Sequence, residues 1–299
     1  MNKQANKDAA SPVSLMRSIF SPRGFIELFV WSNLAFLTVD IYFAHSVNDF
    51  HEWTEWIPFY FSAVGSMLLL LVMIICKFDP TQGLSKVVGN IVGALSIIVG
   101  IVGMLLHLQS SLFAEFTLQK LVYSAPFVAP LSYAGIGLLI IMNRTVKADD
   151  IEWSHWTVFL ALGGFLGNFV LSVLDHAQNG FFLITEWIPV IAAALAVGVL
   201  FPALWNKVSK AYLNFCIAIM LLQMGVGGLG FLLHFKADYN SGSENIFEDF
   251  VFGAPIFAPL LFANLALLGM IGLWSLHRHV GLEPTGQSTT GTNPESQPA

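Results

Sequence analysis

Residues 45–58 read HSVNDFHEWTEWIP, and residues 176–189 read HAQNGFFLITEWIP. Eight of the fourteen positions are identical: His, Asn, Phe, Thr, Glu, Trp, Ile and Pro. Two further pairs follow in the same order in each half of the chain. GIVGMLLHL at 100–108 matches GGLGFLLHF at 227–235, and APFVAPL at 125–131 matches APIFAPL at 254–260. The offsets of the three pairs are 131, 127 and 129 residues, which predicts that one unit occurs twice.

The composition is typical of a membrane protein. Of the 299 residues, 56% are hydrophobic and 11% are charged, whereas a soluble domain carries roughly 25% charged residues. A lipid bilayer is therefore the expected environment. The net charge of −6 offers no basic surface for nucleic acid. The two cysteines, Cys76 and Cys216, lie in apolar runs without a C-x-x-C spacing, so neither a disulfide nor a thiolate metal site is expected.

Eight apolar runs of about 20 residues, the length that crosses a bilayer, divide the chain. They lie at 24–46, 56–76, 88–110, 122–143, 155–177, 187–206, 212–235 and 253–276. We predict an all-α integral membrane protein with eight transmembrane helices, built by tandem duplication of a four-helix unit. The repeats are 24–146 and 155–276, with an N-terminal segment at 1–23 and a disordered tail at 281–299. An even number of spans in each unit makes the copies parallel, related by a pseudo-two-fold axis.

Basic residues are distributed unevenly between the two sides of the predicted membrane. Those on the side of the termini are Lys3, Lys7, Arg17, Arg23, Lys77, Lys86, Arg144, Lys147, Lys207, Lys210 and Arg278. Only Lys120 and Lys236 lie on the opposite side. Because cytoplasmic loops are enriched in Lys and Arg, we predict cytoplasmic termini in a multi-pass protein of a bacterial-type inner membrane. The connections after spans 1, 3, 5 and 7 then face outward.

The ionisable residues that recur in both halves are two histidines and one glutamate per half. They are His45, Glu55 and His107 in the first half, and His176, Glu186 and His234 in the second. Each lies where a span meets the outer membrane edge, so all six are expected at one depth. Two imidazoles with one carboxylate form the ligand set of non-haem iron sites, and they also suit copper and zinc. We predict that these six residues bind iron or copper, with zinc ranked lower, in one shared centre or in two.

Four nearby polar residues are candidates for binding the cofactor around this ligand set. Asn48 and Asn179 each follow a histidine by three residues, about one helical turn. Asp40 and Asp175 have no acidic counterpart in the other half. Acidic groups at membrane depth are by default functional candidates.

Each repeated motif also has a structural interpretation. In TEWIP, Thr could cap a helix, Glu could complement the helix dipole, Trp could lie among lipid headgroups, and Pro is tolerated in a first turn. The G-x-x-G spacing before His107 and His234 favours close helix packing. APxxAPL is typical of a helix start, and Pro126 and Pro255 could free backbone carbonyls toward the site.

The first functional hypothesis is redox or electron transfer at a metal centre on the outer membrane edge. Its partner would be a quinol or an outer-side electron-transfer protein, and the chain would be a membrane oxidoreductase or a carrier of electrons. The second hypothesis is a haem b subunit, in which the two histidines of each half ligate a haem and the glycines of the G-x-x-G segments give the porphyrin room. A metal-ion or small-solute transporter ranks lower, because the midplane is apolar. A subunit without any ligand is the fourth alternative.

Overall fold

A computed structural model describes residues 16, 18–110, 112–205, 208–240 and 245–280. Within these residues, all regular elements are helices. The α-helices are α1 Pro22–Ser46, α2 Trp56–Ile75, α3 Gly83–Gln109, α4 Leu118–Val122, α5 Leu131–Thr145, α6 Ile151–Gln178, α7 Trp187–Leu200, α8 Lys210–Tyr239, α9 Ile246–Phe252 and α10 Leu260–His279. The 3₁₀ turns are Trp53–Glu55, Ile184–Glu186 and Pro202–Leu204. The predicted tail at 281–299 and nearly all of the first 17 residues lie outside the described part.

Seven segments are long and apolar enough to cross a membrane. They comprise α1, α2, α3, α6, α7, α8 and α10, with the 3₁₀ turns that adjoin α2 and α7. Large apolar side chains lie on their outward faces, as Met67 and Ile191 illustrate at 71% and 63% exposed. Such faces are stable against lipid, where apolar surface has no contact with water. The protein is therefore an α-helical, multi-pass membrane protein.

The predicted fourth and eighth spans begin later than the sequence suggested. We expected them to start at residues 122 and 253, but α5 begins at Leu131 and α10 at Leu260. Both APxxAP segments form turns, because proline lacks an N–H and disfavours helical geometry in the residue before it. Helix α5 has 15 residues and spans about 22 Å, less than the roughly 30 Å of a bilayer core.

Each half packs its four long helices in a closed ring. In the first half, α1 contacts α2, α2 contacts α3, α3 contacts α5, and α5 contacts α1. The second half has the same order, with α6, α7, α8 and α10 in place of α1, α2, α3 and α5. The two rings meet where α1 packs on α10 and where α5 packs on α6. Consequently α1, α5, α6 and α10 lie in the middle of the protein, and all eight long helices contribute buried side chains to its core.

Polar contacts fix the seam between the rings. The Asn33 side-chain amide donates to Asn264 Oδ1 at 3.1 Å between α1 and α10. The indole N–H of Trp153 donates to Asn143 Oδ1 at 3.2 Å between α5 and α6. Asn143 also donates to Glu27 Oε1 at 2.7 Å, so the second bond belongs to a buried polar network. An unpaired amide at either place would be costly. Both bonds therefore help to fix the register of one half against the other.

Candidate functional site

The first copy of the repeated stretch forms a left-handed turn. Asp49 and Phe50 have φ values of 57° and 51°. The N–H of Phe50 donates to the carbonyl of His45 at 3.1 Å. The Phe50 ring then stacks on Trp56, with 4.1 Å between ring centroids. This turn reverses the chain between α1 and α2 and places Glu55 beside His45.

The second copy forms the same turn. Gly180 and Phe181 have φ values of 72° and 52°, and the N–H of Phe181 donates to the carbonyl of His176 at 3.1 Å. The Phe181 ring stacks on Trp187 with 4.2 Å between centroids. The repeated Phe and Trp are thus explained by the turn itself and require no ligand.

The threonine of TEWIP does not cap the helix that follows, so that interpretation is wrong. Thr54 and Thr185 lie inside the 3₁₀ turns, and the N-cap residues of α2 and α7 are Glu55 and Glu186. Neither cap makes a side-chain hydrogen bond to its helix. The glutamate side chains therefore remain available for other contacts.

Replacing Gly180 with Ala is expected to destabilise the protein by about 1–2 kcal/mol, because a Cβ disfavours positive φ by that amount. A Cβ at Gly180 would meet no atom within 4 Å, so only the backbone conformation is affected. Gly163→Ala is the matched control, since its Cβ also meets open space and it lies inside α6. That variant should gain up to about 1 kcal/mol of helix propensity. Thermal unfolding in detergent compares the two, and equal effects would refute the prediction.

The first-half candidates lie together at the end of the bundle. His45 Nδ1 is 3.8 Å from Glu55 Oε2, and 6.2 Å separates the ring centroids of His45 and His107. The Asn48 side-chain amide donates to Glu55 Oε1 at 2.7 Å. His107 Nδ1 donates to the carbonyl of Pro126 at 3.2 Å. The turn before α5 therefore orients His107 through the carbonyl of Pro126 itself, which also accepts the N–H of Ala129. That Pro126 frees a backbone carbonyl toward the site stays a prediction.

The second-half candidates have a similar but looser arrangement. His234 Nδ1 donates to the carbonyl of Pro255 at 3.0 Å. His176 interacts electrostatically with both Glu186 and His234. Asn48 and Asn179 are both exposed, and the hydrogen bond to the glutamate of the same half is formed by Asn48.

One oxygen of each glutamate is buried without a hydrogen bond. Glu55 Oε2 and Glu186 Oε2 both have this property, and Glu186 is 8% exposed. Leaving a buried charged acceptor unsatisfied is costly. His107 and His234 each donate a hydrogen bond from Nδ1 to a proline carbonyl. The lone pair of Nε2 is therefore free in both residues. Metal-binding histidines commonly have this arrangement.

The candidates do not form a closed ligand set. Among the described residues, no three His, Cys, Asp or Glu side chains lie close enough together to hold a metal ion as they stand. The contacts of the six predicted ligands also stay within their own half, so they form two groups of three. Asp40 is half-buried in α1 and interacts electrostatically with Tyr133. Asp175 is half-buried in α6. These observations do not connect either aspartate with the histidines and glutamates, so the role of both in cofactor binding stays a prediction.

The space that the haem hypothesis required is filled. A Cβ on Gly100 would lie 2.9 Å from the carbonyl oxygen of Pro130, and one on Gly227 would lie 2.9 Å from that of Pro259. The glycines therefore allow α3 and α8 to approach the turns that precede α5 and α10. The prediction of room for a porphyrin beside them is wrong.

Two surface grooves of the protein have volumes of about 420 Å³ and 380 Å³. The residues that line them include none of the six predicted metal ligands.

Sequence reasoning missed Asp238. It lies in α8 one turn beyond His234 and is 2% exposed. Its Oδ1 accepts a hydrogen bond from the N–H of Ala254 at 2.7 Å, whereas Oδ2 is buried without one. The i, i+4 spacing from His234 was the available signal, but Asp238 has no acidic counterpart in the first half.

Comparison with protein-family models, curated proteins and solved structures finds no match to this chain. The residues and their geometry are therefore the basis for a function.

Proposed function

We propose that the chain is an eight-helix membrane protein formed by tandem duplication, in which the short helix α5 is the fourth membrane helix. The closed ring of helices at 24–146 and its equivalent at 155–276 support this, as do the identical approaches of Gly100 and Gly227 to a proline carbonyl. The excess of Lys and Arg on the side of the termini supports cytoplasmic termini in an inner membrane. The histidines then lie at the outer edge.

We infer that each half binds one transition-metal ion, iron or copper, through its two histidines and its glutamate. The observation behind this inference is that Oε2 of Glu55 and Oε2 of Glu186, at equivalent places, are buried without a hydrogen bond. A bound cation would compensate each carboxylate, and the Nε2 atoms of His107 and His234 are free to ligate it. Two centres are inferred because the candidate contacts stay within each half.

Metal binding requires the side chains to move toward one another, because metal–nitrogen bonds are about 2.0–2.1 Å long. His107 is already oriented by Pro126, so rotation of His45 and Glu55 completes the set. Each centre would exchange single electrons with a quinol in the outer leaflet or with an outer-side protein. A site of two imidazoles and one carboxylate leaves coordination positions open for such chemistry.

Metal analysis of protein purified without a histidine tag tests the proposal. We expect about two equivalents of iron or copper per chain and no Soret band. His107→Ala should leave about half of the metal, and His107→Ala with His234→Ala should leave almost none, because each change removes one pre-oriented ligand.

The matched control is His51→Ala. His51 is exposed and lies in the same connection as Asn48 and Glu55, so its loss should leave the metal content unchanged. Wild-type protein without metal above background would refute the proposal, as would equal losses in the His51 and His107 variants. A Soret band would instead favour the haem alternative.

A further inference from the structure

A second buried carboxylate lies next to the second-half site. Asp238 follows His234 by four residues in α8 and so lies on the same helix face. Its Oδ2 has no hydrogen bond, although the side chain is 2% exposed. His234 and Asp249 both interact with it electrostatically. Asp238 is therefore close to a predicted metal ligand, and one of its two oxygens has no hydrogen bond.

The charges around Asp238 are not balanced. Asp249 on α9 carries the same charge and is half-buried. Glu186, whose Oε2 is also buried without a hydrogen bond, interacts instead with His176. Carboxylates near one another in a poorly solvated place repel each other unless a cation or a proton lies between them. A bound cation would remove this repulsion.

The first half lacks an equivalent acid. An offset of 127 residues aligns Asp238 with Ser111, which lies outside the described residues. In that half Oε1 of Glu55 already accepts a hydrogen bond from the amide of Asn48, which leaves only Oε2. The two halves therefore differ in the number of carboxylate oxygens that are free for a cation.

We propose that Asp238 is a further ligand of the second centre, in which His176, His234, Glu186 and Asp238 move together around a divalent cation such as Fe²⁺. This inference rests on the proposed function. An additional carboxylate raises the affinity of a site for divalent cations and favours iron, manganese or zinc over Cu(I). The second centre is therefore the tighter of the two for divalent ions.

A structural role of Asp238 can be separated from ligation. Its Oδ1 holds the loop before α10 through Ala254 N–H, and that loop presents the Pro255 carbonyl to His234. The Asp238→Asn change keeps a side-chain oxygen that can accept the hydrogen bond from Ala254 N–H. It removes the negative charge and the ligating Oδ2. In metal-free protein, Asp238→Asn should therefore unfold at the temperature of its parent. A loss of Co²⁺ affinity in this variant then reports lost ligation, because a purely structural aspartate would leave that affinity unchanged.

The test titrates metal-free protein with Co²⁺ and follows visible absorption. His107→Ala removes the first centre, and this parent should bind one equivalent. Adding Asp238→Asn should weaken binding at least about tenfold, the lower range for disturbing a metal site. Adding Glu248→Gln instead makes the same charge change at an exposed acid of α9 and should have no effect.

The possible failures are distinct. If His107→Ala with Asp238→Asn binds Co²⁺ as tightly as its parent, Asp238 is not a ligand, while the proposed function stands. If the wild-type protein binds no Co²⁺, the proposed function fails and this inference fails with it.

Discussion

Replacing Arg144 with Met is expected to destabilise the protein by about 3–5 kcal/mol, the usual cost of leaving a buried charge without its partner. Arg144 donates to both oxygens of Glu27, at 2.9 and 2.8 Å, and the two side chains are 1% and 3% exposed. Its Nε donates to the carbonyl of Ser85 at 3.0 Å. Gly89 makes room for the guanidinium, because a Cβ there would overlap it.

The second half shows how the same place can be filled without charge. The repeat offsets align Glu27 with Val158, Arg144 with Leu273 and Gly89 with Cys216, and all three second-half residues are fully buried. Replacing a buried ion pair by apolar side chains is often neutral or stabilising. The combined variant Glu27→Val, Arg144→Leu and Gly89→Cys should therefore recover most of the stability that Arg144→Met loses.

Thermal unfolding in one detergent measures both variants against the wild type. The single change should lower the midpoint strongly, and the triple change should return it close to the wild-type value. A triple variant as unstable as Arg144→Met would show that the pair is needed for more than the compensation of charge.

Replacing Gly137 with Leu is the second large effect that we expect. A Cβ at this position would overlap the backbone carbonyl of Gly93 and lie 3.0 Å from the backbone nitrogen of Ile97. Helices α3 and α5 would have to separate, since backbone atoms cannot rotate away. Overpacking destabilises a protein by about 1–3 kcal/mol and sometimes more. Because the new side chain would meet backbone atoms, we expect Gly137→Leu to lower the free energy of unfolding by about 3 kcal/mol or more.

Gly135→Leu is the matched control in the same helix. A Cβ on Gly135 meets no atom within 4 Å, so leucine should be tolerated and should improve helix propensity by up to about 1 kcal/mol. Yield of folded protein and the midpoint of thermal unfolding compare the two. Similar behaviour of the two variants would contradict the close crossing of α3 and α5.

The position of the membrane helices was largely predictable, because the length of an apolar run is a local property of the chain. Seven of the eight predicted runs correspond to helices that can cross a membrane. The errors at Leu131 and Leu260 arose where prolines interrupt a run that is still apolar. Hydrophobicity alone does not distinguish an apolar turn from an apolar helix, whereas the lack of an N–H in proline does.

The candidate site was predictable only in part. Comparison of the halves selected His107 and Pro126, but the hydrogen bond between them joins residues of different elements and could not be deduced from spacing. The same comparison could not find Asp238, because a search for residues that recur in both halves does not select a residue that occurs in one half only. The sequence left two roles open for the glycines of α3 and α8, room for a haem and close helix packing, and their short distances to the turns before α5 and α10 support close packing.

By itself, the sequence determined the membrane class, the approximate helices and the residues that recur in both halves. Each of these follows from the order of apolar and polar residues along one dimension. The tertiary structure alone decided that Glu27 pairs with Arg144, that the histidines form two groups, and that Asp238 is buried without a partner for Oδ2. These features depend on how distant helices pack and on which side chains that packing removes from solvent.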